Sequence, residues 1–234
     1  MQSKPPPRAA ARRLPRDQRV AVILQTARSV LRDRGSEQFL TSEVAERCGT
    51  SEATIYKYFP TKRDLLIKAA EDWFEEFLSD DYPARTSGPL KDRLYHAIWW
   101  ALSFIRREPA LSRFVLMELR ADPAYRTMRI YQQNREVVER VMGVVEDGRK
   151  SGIVRDDIPM RLMRDMIFGA IEHQTWAYLR REGDFSVDDS AGWITEVILG
   201  GIVVNQPADR HLSEAVDMLE KVTASLRKQA GPKR

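Results

Sequence analysis

Along most of this chain apolar residues recur at intervals of three and four, a rhythm that allows little besides packed helices. In the first instance Val20, Ile23, Leu24, Ala27, Val30 and Leu31 fall on one stripe of a helix beginning near Asp17. Gly35 stands where that helix should stop. A short helix is expected over 42–48, followed by Gly49. Another over 52–59 is capped by Ser51 and ended by Pro60. Thr61 caps a fourth, which runs through Leu65, Leu66, Ala69, Trp73 and Phe77. After the turn-rich segment 80–89, Leu94, Ile98, Ala101, Leu102 and Ile105 share a face. Further helices are expected over 110–120, 125–150 and 159–181, the last closed by Gly183. An apolar helix over 191–204 would be capped by Asp188 or Ser190, and an amphipathic segment over 212–226 ends the pattern. No strand-like alternation and no internal repeat is evident. The expectation is all-α, with about nine or ten helices.

Composition narrows the function classes. At 234 residues the chain can bury a core without staples. The lone Cys48 excludes an internal disulfide framework or a zinc–cysteine cluster, and fits a reducing cytoplasm. No apolar run approaches the ~20 residues needed to span a bilayer, and no signal-peptide core follows the basic start. Residues 1–70 carry 14 Lys and Arg against 7 Asp and Glu, whereas 71–234 carry 24 against 27. A basic head on a mildly acidic body suggests a polyanion partner for the head. Residues 1–16 read as a basic, flexible arm around Pro5–Pro7. Its Lys4, Arg8, Arg12, Arg13 and Arg16 suit either a minor-groove contact or a weakly attractive tail.

Two short helices joined by a glycine turn, Gly49 with Thr50, meet the requirements of a helix-turn-helix over 41–62. The second helix has an outward set of Glu52, Ala53, Thr54, Tyr56, Lys57 and Tyr58. Small residues at its start would let the backbone approach base edges, and Thr54 offers a methyl or a hydroxyl there. The tyrosine hydroxyls and Lys57 can reach phosphate oxygens, which fix register without reading sequence. Thr41 and Lys62 stand at helix starts, where the dipole favours phosphate. Val44, Ala45, Ile55, Phe59, Leu65 and Leu66 would hold the unit together.

The stretch TSEVAERCGTSEATIYKYFPTKRDLL, with DQRVAVILQTARSVLRDRG before it, closely resembles the N-terminal signature of TetR/AcrR-family transcriptional regulators over residues 17–78. The resemblance implies DNA contacts from Thr41, Thr54, Tyr56, Tyr58 and Lys62, mostly to phosphates. Glu52, Ala53 and Lys57 fall at positions that would tune operator choice. Glu52 could accept from cytosine N4 or simply favour the helix dipole. A helix-turn-helix domain at 17–78 and an effector-binding and dimerisation domain at 79–234 are implied. So is a homodimer that binds a palindromic operator in double-stranded DNA as a repressor released by a small molecule.

For the body, the helix over 191–204 is apolar nearly all round, and Gly200 and Gly201 would permit close helix approach. The family pairs its last two long helices across a four-helix bundle, here 159–182 and 190–204. The implied effector pocket would draw on aromatic and methionine residues in excess of a plain aliphatic core. Those are Trp99, Trp100, Phe104, Phe114, Met117, Tyr131, Phe168 and Trp176, with Asn134, Glu172, His173 and Gln174 as polar candidates. A sizeable apolar or aromatic ligand is expected, a fatty or acyl-thioester-like effector being conceivable. The fourth helix, 62–79, is the natural lever between head and body.

Catalysis finds no constellation. His96, His173 and His211 fall singly on different helices, and HExxH, GxSxG, P-loop and GxGxxG motifs are absent. No catalytic residue, cofactor or metal site is assigned. A helical adaptor that binds protein through the head is the remaining alternative.

Overall fold

The computed structural model describes residues 15–79, 88–204 and 216–221. Most of the basic arm, the 80–87 part of the turn-rich segment and much of the 212–226 segment lie outside them. Among the described residues nine α-helices follow one another: α1 (Arg16–Arg34), α2 (Thr41–Arg47), α3 (Glu52–Tyr56), α4 (Lys62–Ser79), α5 (Leu90–Arg107), α6 (Pro109–Arg113), α7 (Arg129–Lys150), α8 (Met160–Leu179) and α9 (Val187–Ile202). A π-helical stretch, Phe114–Leu119, extends α6, and a 3-10 turn, Tyr125–Thr127, precedes α7. Residues 216–221 are also helical.

Local signals set the helix ends in the head. Gly35 adopts a φ of 76° and its N–H closes α1 onto the Leu31 carbonyl at 2.8 Å. At the end of α2, Gly49 turns to a φ of 63°; its N–H reaches the Glu46 carbonyl while that of Thr50 reaches Ala45. That double bond pattern is a Schellman stop. Ser51 Oγ accepts from the Thr54 N–H at 3.2 Å and starts α3. Thr61 and Asp64 cap each other reciprocally: the Asp64 N–H donates to Thr61 Oγ1, and the Thr61 N–H to Asp64 Oδ2.

The body departs from expectation at three ends. The 110–120 helix changes at Phe114 into the π-helical stretch, whose wider turn brings the Arg120 N–H to the Val115 carbonyl at 3.0 Å. Helix α8 is ended by Arg181 rather than Gly183. Arg181 takes the left-handed φ of 62° itself, and the Glu182 N–H returns to the Ala177 carbonyl at 2.8 Å. Helix α9 starts earlier than 191, with Ser186 as cap in place of Asp188 or Ser190; its Oγ accepts from the Asp189 N–H. Asp188 is committed elsewhere, accepting from the Trp99 indole N–H of α5 at 2.8 Å.

One continuous apolar core runs from α1 to α9. Helix α4 belongs to both halves: Leu65 and Leu66 pack among the buried residues of the head, whereas Trp73 stacks on Phe104 and Phe77 on Trp100 of α5, with Phe74 edge-on to Phe104. Charge closes the seam between head and body. Arg28 of α1 bonds Glu76 of α4 at 2.7 Å and Glu108 at 3.3 Å, and Arg32 bonds Glu108 at 2.8 Å. Glu108 is buried, so these partners are what make its charge tolerable there.

Candidate nucleic-acid interface and ligand cavity

Five residues cannot hold a helix in water by themselves, so α3 exists because of what it rests on. Ile55 points fully into the head core, and Phe59, Val44 and Ala45 close around it. With that side fixed, Glu52, Ala53, Tyr56 and Lys57 are exposed in a row, and Thr54 and Tyr58 are half-buried at its edges. The Tyr56 hydroxyl leans toward Glu52 Oε1 at 3.5 Å, across one helical turn. Thr54 Oγ1 lies 2.8 Å from Ser51 Oγ, so its hydroxyl is drawn toward the cap and its methyl is the freer contact.

The two helix-start residues behave differently from that row. Thr41 is buried at the head of α2. Lys62 is turned inward: its Nζ donates to the Ser36 carbonyl at 2.8 Å and lies 5.7 Å from the centre of the Phe39 ring. It thus ties α4 to the loop after α1. Arg63, beside it, reaches Asp122 of the body at 2.5 Å.

In the body a narrow cavity of about 50 Å³ lies between α4, α5, α7, α8 and the π-helical stretch. Phe104, Phe168 and Glu172 of the expected pocket residues line it, with Asn134. The others are placed elsewhere. Trp99 bonds Asp188 at the α5–α9 contact, and Trp100 stacks on Phe77. Phe114 is packed in the core, and Met117 is half-buried against it. Tyr131 meets Tyr125 edge-on at 5.6 Å and lines an open depression with Asn134 and Met142. His173, Gln174 and Trp176 are exposed on α8.

The cavity also uses residues outside the expected pocket set, chiefly Trp73, expected only on the apolar stripe of the fourth helix, and Leu116 and Arg120. Arg120 donates to Glu172 at 2.5 Å and to the Asn134 side-chain carbonyl at 3.3 Å. The available signal was slight: Leu116 and Arg120 are four apart and share a face, but an arginine just before Asp122-Pro123 reads as solvated turn.

A second feature is the outer side of the last two helices. Leu162, Met166 and Trp176 of α8, and Trp193 and Val197 of α9, are exposed large apolar groups, with Val204 just beyond. Their spacing of four and three continues through Gly169 and His173 on α8, and through Gly200 on α9. A Cβ added at Gly169, Gly200 or Gly201 would meet nothing within 4 Å.

A two-helix unit joined by a left-handed glycine, with a short second helix braced from behind and bare in front, defines a helix-turn-helix DNA-binding protein. Residues 23–69 match the family model described as bacterial regulatory proteins, tetR family, and residues 87–202 match the tetracyclin repressor-like C-terminal domain. The chain belongs to the TetR family of transcriptional regulators. It is 23% identical over 181 residues to the fatty acid metabolism regulator protein of Bacillus subtilis, across 77% of this chain and 93% of that one. Among solved structures, FadR from Bacillus subtilis in complex with stearoyl-CoA superposes with a TM-score of 0.64 at 24% identity, covering 78% of this chain and 98% of that one. A Saccharomonospora viridis protein described as a transcriptional regulator, in complex with choline, gives 0.67 at 22%, covering 81% and 100%. At such identities these two likenesses speak to the fold.

Proposed function

We propose that this regulator is a cytoplasmic repressor that binds a palindromic operator as a homodimer and is released by an apolar or amphipathic small molecule. The observation that carries the DNA reading is the bare row on α3: Glu52, Ala53, Tyr56 and Lys57 face solvent while Ile55 behind them is fully buried. Nothing in the head's own packing needs that row, and its side chains are those that touch base edges and phosphates. In this reading Tyr56, Tyr58 and Lys57 anchor phosphates, and Glu52, Ala53 and Thr54 face the bases. Thr41 and Lys62 complete the set from the neighbouring helix starts, Lys62 by exchanging the Ser36 carbonyl for a phosphate oxygen. The arm before Pro15 would add charge attraction.

The dimer reading rests on the apolar stripes of α8 and α9. A second copy related by a twofold axis would cover the same stripes on both chains and seat side chains over the open glycines. Two heads would then read two half-sites. The effector reading rests on the cavity, whose apolar walls are shared with α4, the helix that carries the head. The stearoyl-CoA held by the Bacillus subtilis FadR structure agrees with an apolar tail, whereas the choline of the Saccharomonospora viridis structure does not bear on it. The domain division follows as 17–78 for DNA binding and 79–234 for effector binding and dimerisation. No role as an enzyme is assigned to the chain.

Selection of bound sequences from a random duplex library tests the whole reading. The expected result is a palindromic consensus, bound with a steep inverse dependence on salt. Failure to bind any duplex even at low salt would sink it and leave the protein adaptor in its place.

A further inference from the structure

The charged side chains lining the cavity, Arg120 and Glu172, meet each other with Asn134, and Ser112, the other polar residue of the lining, is turned to the Ile105 carbonyl. Trp73, Phe74, Phe104, Val115, Leu116 and Phe168 make an apolar lining, and the charge sits where Arg120 meets Glu172 and Asn134. Behind that pair, outside the lining itself, stands Tyr125, 8% exposed; its buried hydroxyl finds no acceptor among the described residues and lies close enough to Arg120 to be drawn by its N–H groups. Burial holds this phenol above its usual pKa against the opposing pull of Arg120, so it stays a neutral donor. A guanidinium carries five N–H donors, and here Glu172 and Asn134 supply its acceptors. This polar cluster therefore has donors to spare.

The same stretch of chain grips the head on either side of Arg120. Glu118, two residues earlier, accepts from the Ser36 hydroxyl at 2.5 Å. Asp122, two residues later, accepts from Arg63 at the start of α4. A space of about 50 Å³ holds only a few water molecules, so an alkyl chain entering it must push the walls apart. The wall that bears Arg120 also bears both of these ties.

The geometry points to Arg120 as the recognition group for an effector that carries a carboxylate on an apolar chain, with Glu172 holding Arg120 in place until that ligand takes over its hydrogen bonds. This rests on the effector reading above and names the ligand's polar end. The exchange replaces one charge-assisted bond by another, bidentate where the carboxylate faces the fork, and Tyr125 gains the acceptor it lacks. Glu172, a third exposed, is released toward water. Displacement of Arg120 then pulls on Glu118 and Asp122, and through them on Ser36 and Arg63 of the head.

Three probes of equal chain length test this on the full chain: dodecanoate, dodecanol and dodecyltrimethylammonium. Binding is read by calorimetry below the micelle concentration, and release by the anisotropy of a labelled selected duplex. Dodecanoate is expected to bind about tenfold more tightly than dodecanol, the worth of one charged hydrogen bond. Glu172→Gln should tighten dodecanoate and leave dodecanol unchanged. Arg120→Gln should make the two equal, and Arg120→Lys should restore part of the difference. A dodecanoate preference that survives Arg120→Gln in a folded variant overturns the assignment, as does weaker dodecanoate binding in Glu172→Gln. Tightest binding of the ammonium probe also overturns it, giving Glu172 to a cation. Equal binding and equal release by all three probes leaves the effector reading standing and removes Arg120 from it. Binding of none removes the effector reading as well.

Discussion

Trp73 of α4 and Phe104 of α5 lie ring on ring, their centroids 3.7 Å apart and their planes 5° from parallel. Phe74 meets the same Phe104 edge-on at 4.5 Å, and Phe77 closes on it at 4.4 Å. Phe104 is also a wall of the cavity. One ring therefore belongs both to the helix that carries the head and to the space assigned to an effector. Close-packed interiors yield little, so a ligand that shifts Phe104 must shift α4 with it.

Phe104→Ala should remove that joint at a cost of about 3–5 kcal/mol in unfolding free energy, the usual range for an aromatic truncated in a core. Urea denaturation reads it. Phe104→Leu, which keeps an apolar wall but loses the stack, should cost about 1–3 kcal/mol. It should also bind effector with less effect on the duplex. A Phe104→Ala protein as stable as the parent would show that the stack carries no weight.

Lys57 is exposed on α3 and can be removed without touching the core. If its ammonium neutralises a phosphate, Lys57→Ala weakens operator and random duplex alike and lowers the slope of log affinity against log salt by about one. A loss confined to the operator would place Lys57 on a base instead. Tyr56→Phe, which removes only a hydroxyl, should follow the phosphate pattern with the salt slope nearly unchanged.

The head should lose stability in acid through Glu43. Hydrogen bonds from Arg34 and Arg47 hold the Glu43 carboxyl below its ordinary value. With the folded pKa below the unfolded one of about 4.3, the contribution is fully present above that value and is lost as pH falls through the folded pKa. Glu43→Gln lacks the term. The gap in unfolding free energy between parent and variant should therefore hold steady above about pH 5 and narrow as pH falls from there through the folded pKa. A constant gap across that range would refute the assignment.

The head was largely legible in the sequence because its signals act within one turn. Ser51, Thr61, Gly35 and Gly49 each fix a helix end through their own backbone or the next few residues. In the body the decisive partners are distant. Asp188 cannot cap α9 because Trp99, 89 residues away, holds its carboxylate. Nothing in the composition around Arg181 marks an arginine for a positive φ. Phe104 and Phe168 stood out as aromatics in a helical core, but periodicity does not say which of two apolar faces looks inward. That is why Trp176 and His173, on the outer side of α8, read as pocket residues beside Phe168 and Glu172.

That outer side supplies the last test. Val197 is 72% exposed and Trp193 65%, on a helix whose opposite face, through Ala191, Ile194, Ile198 and Ile202, is buried. Val197→Glu alters no contact within the buried face, so the isolated fold should persist with helical content and melting temperature close to the monomer's own. In a twofold bundle it sets an unpaired carboxylate among apolar groups, at a cost of several kcal/mol once for each chain. Sedimentation equilibrium should then show a dimer for the parent and a monomer for the variant at micromolar concentration. Operator affinity should fall with the dimer, because each head alone keeps only one half-site, while affinity for a single half-site stays the same. A variant that remains dimeric would move the interface away from α9, and one that is monomeric yet binds the full palindrome unchanged would separate dimerisation from DNA reading.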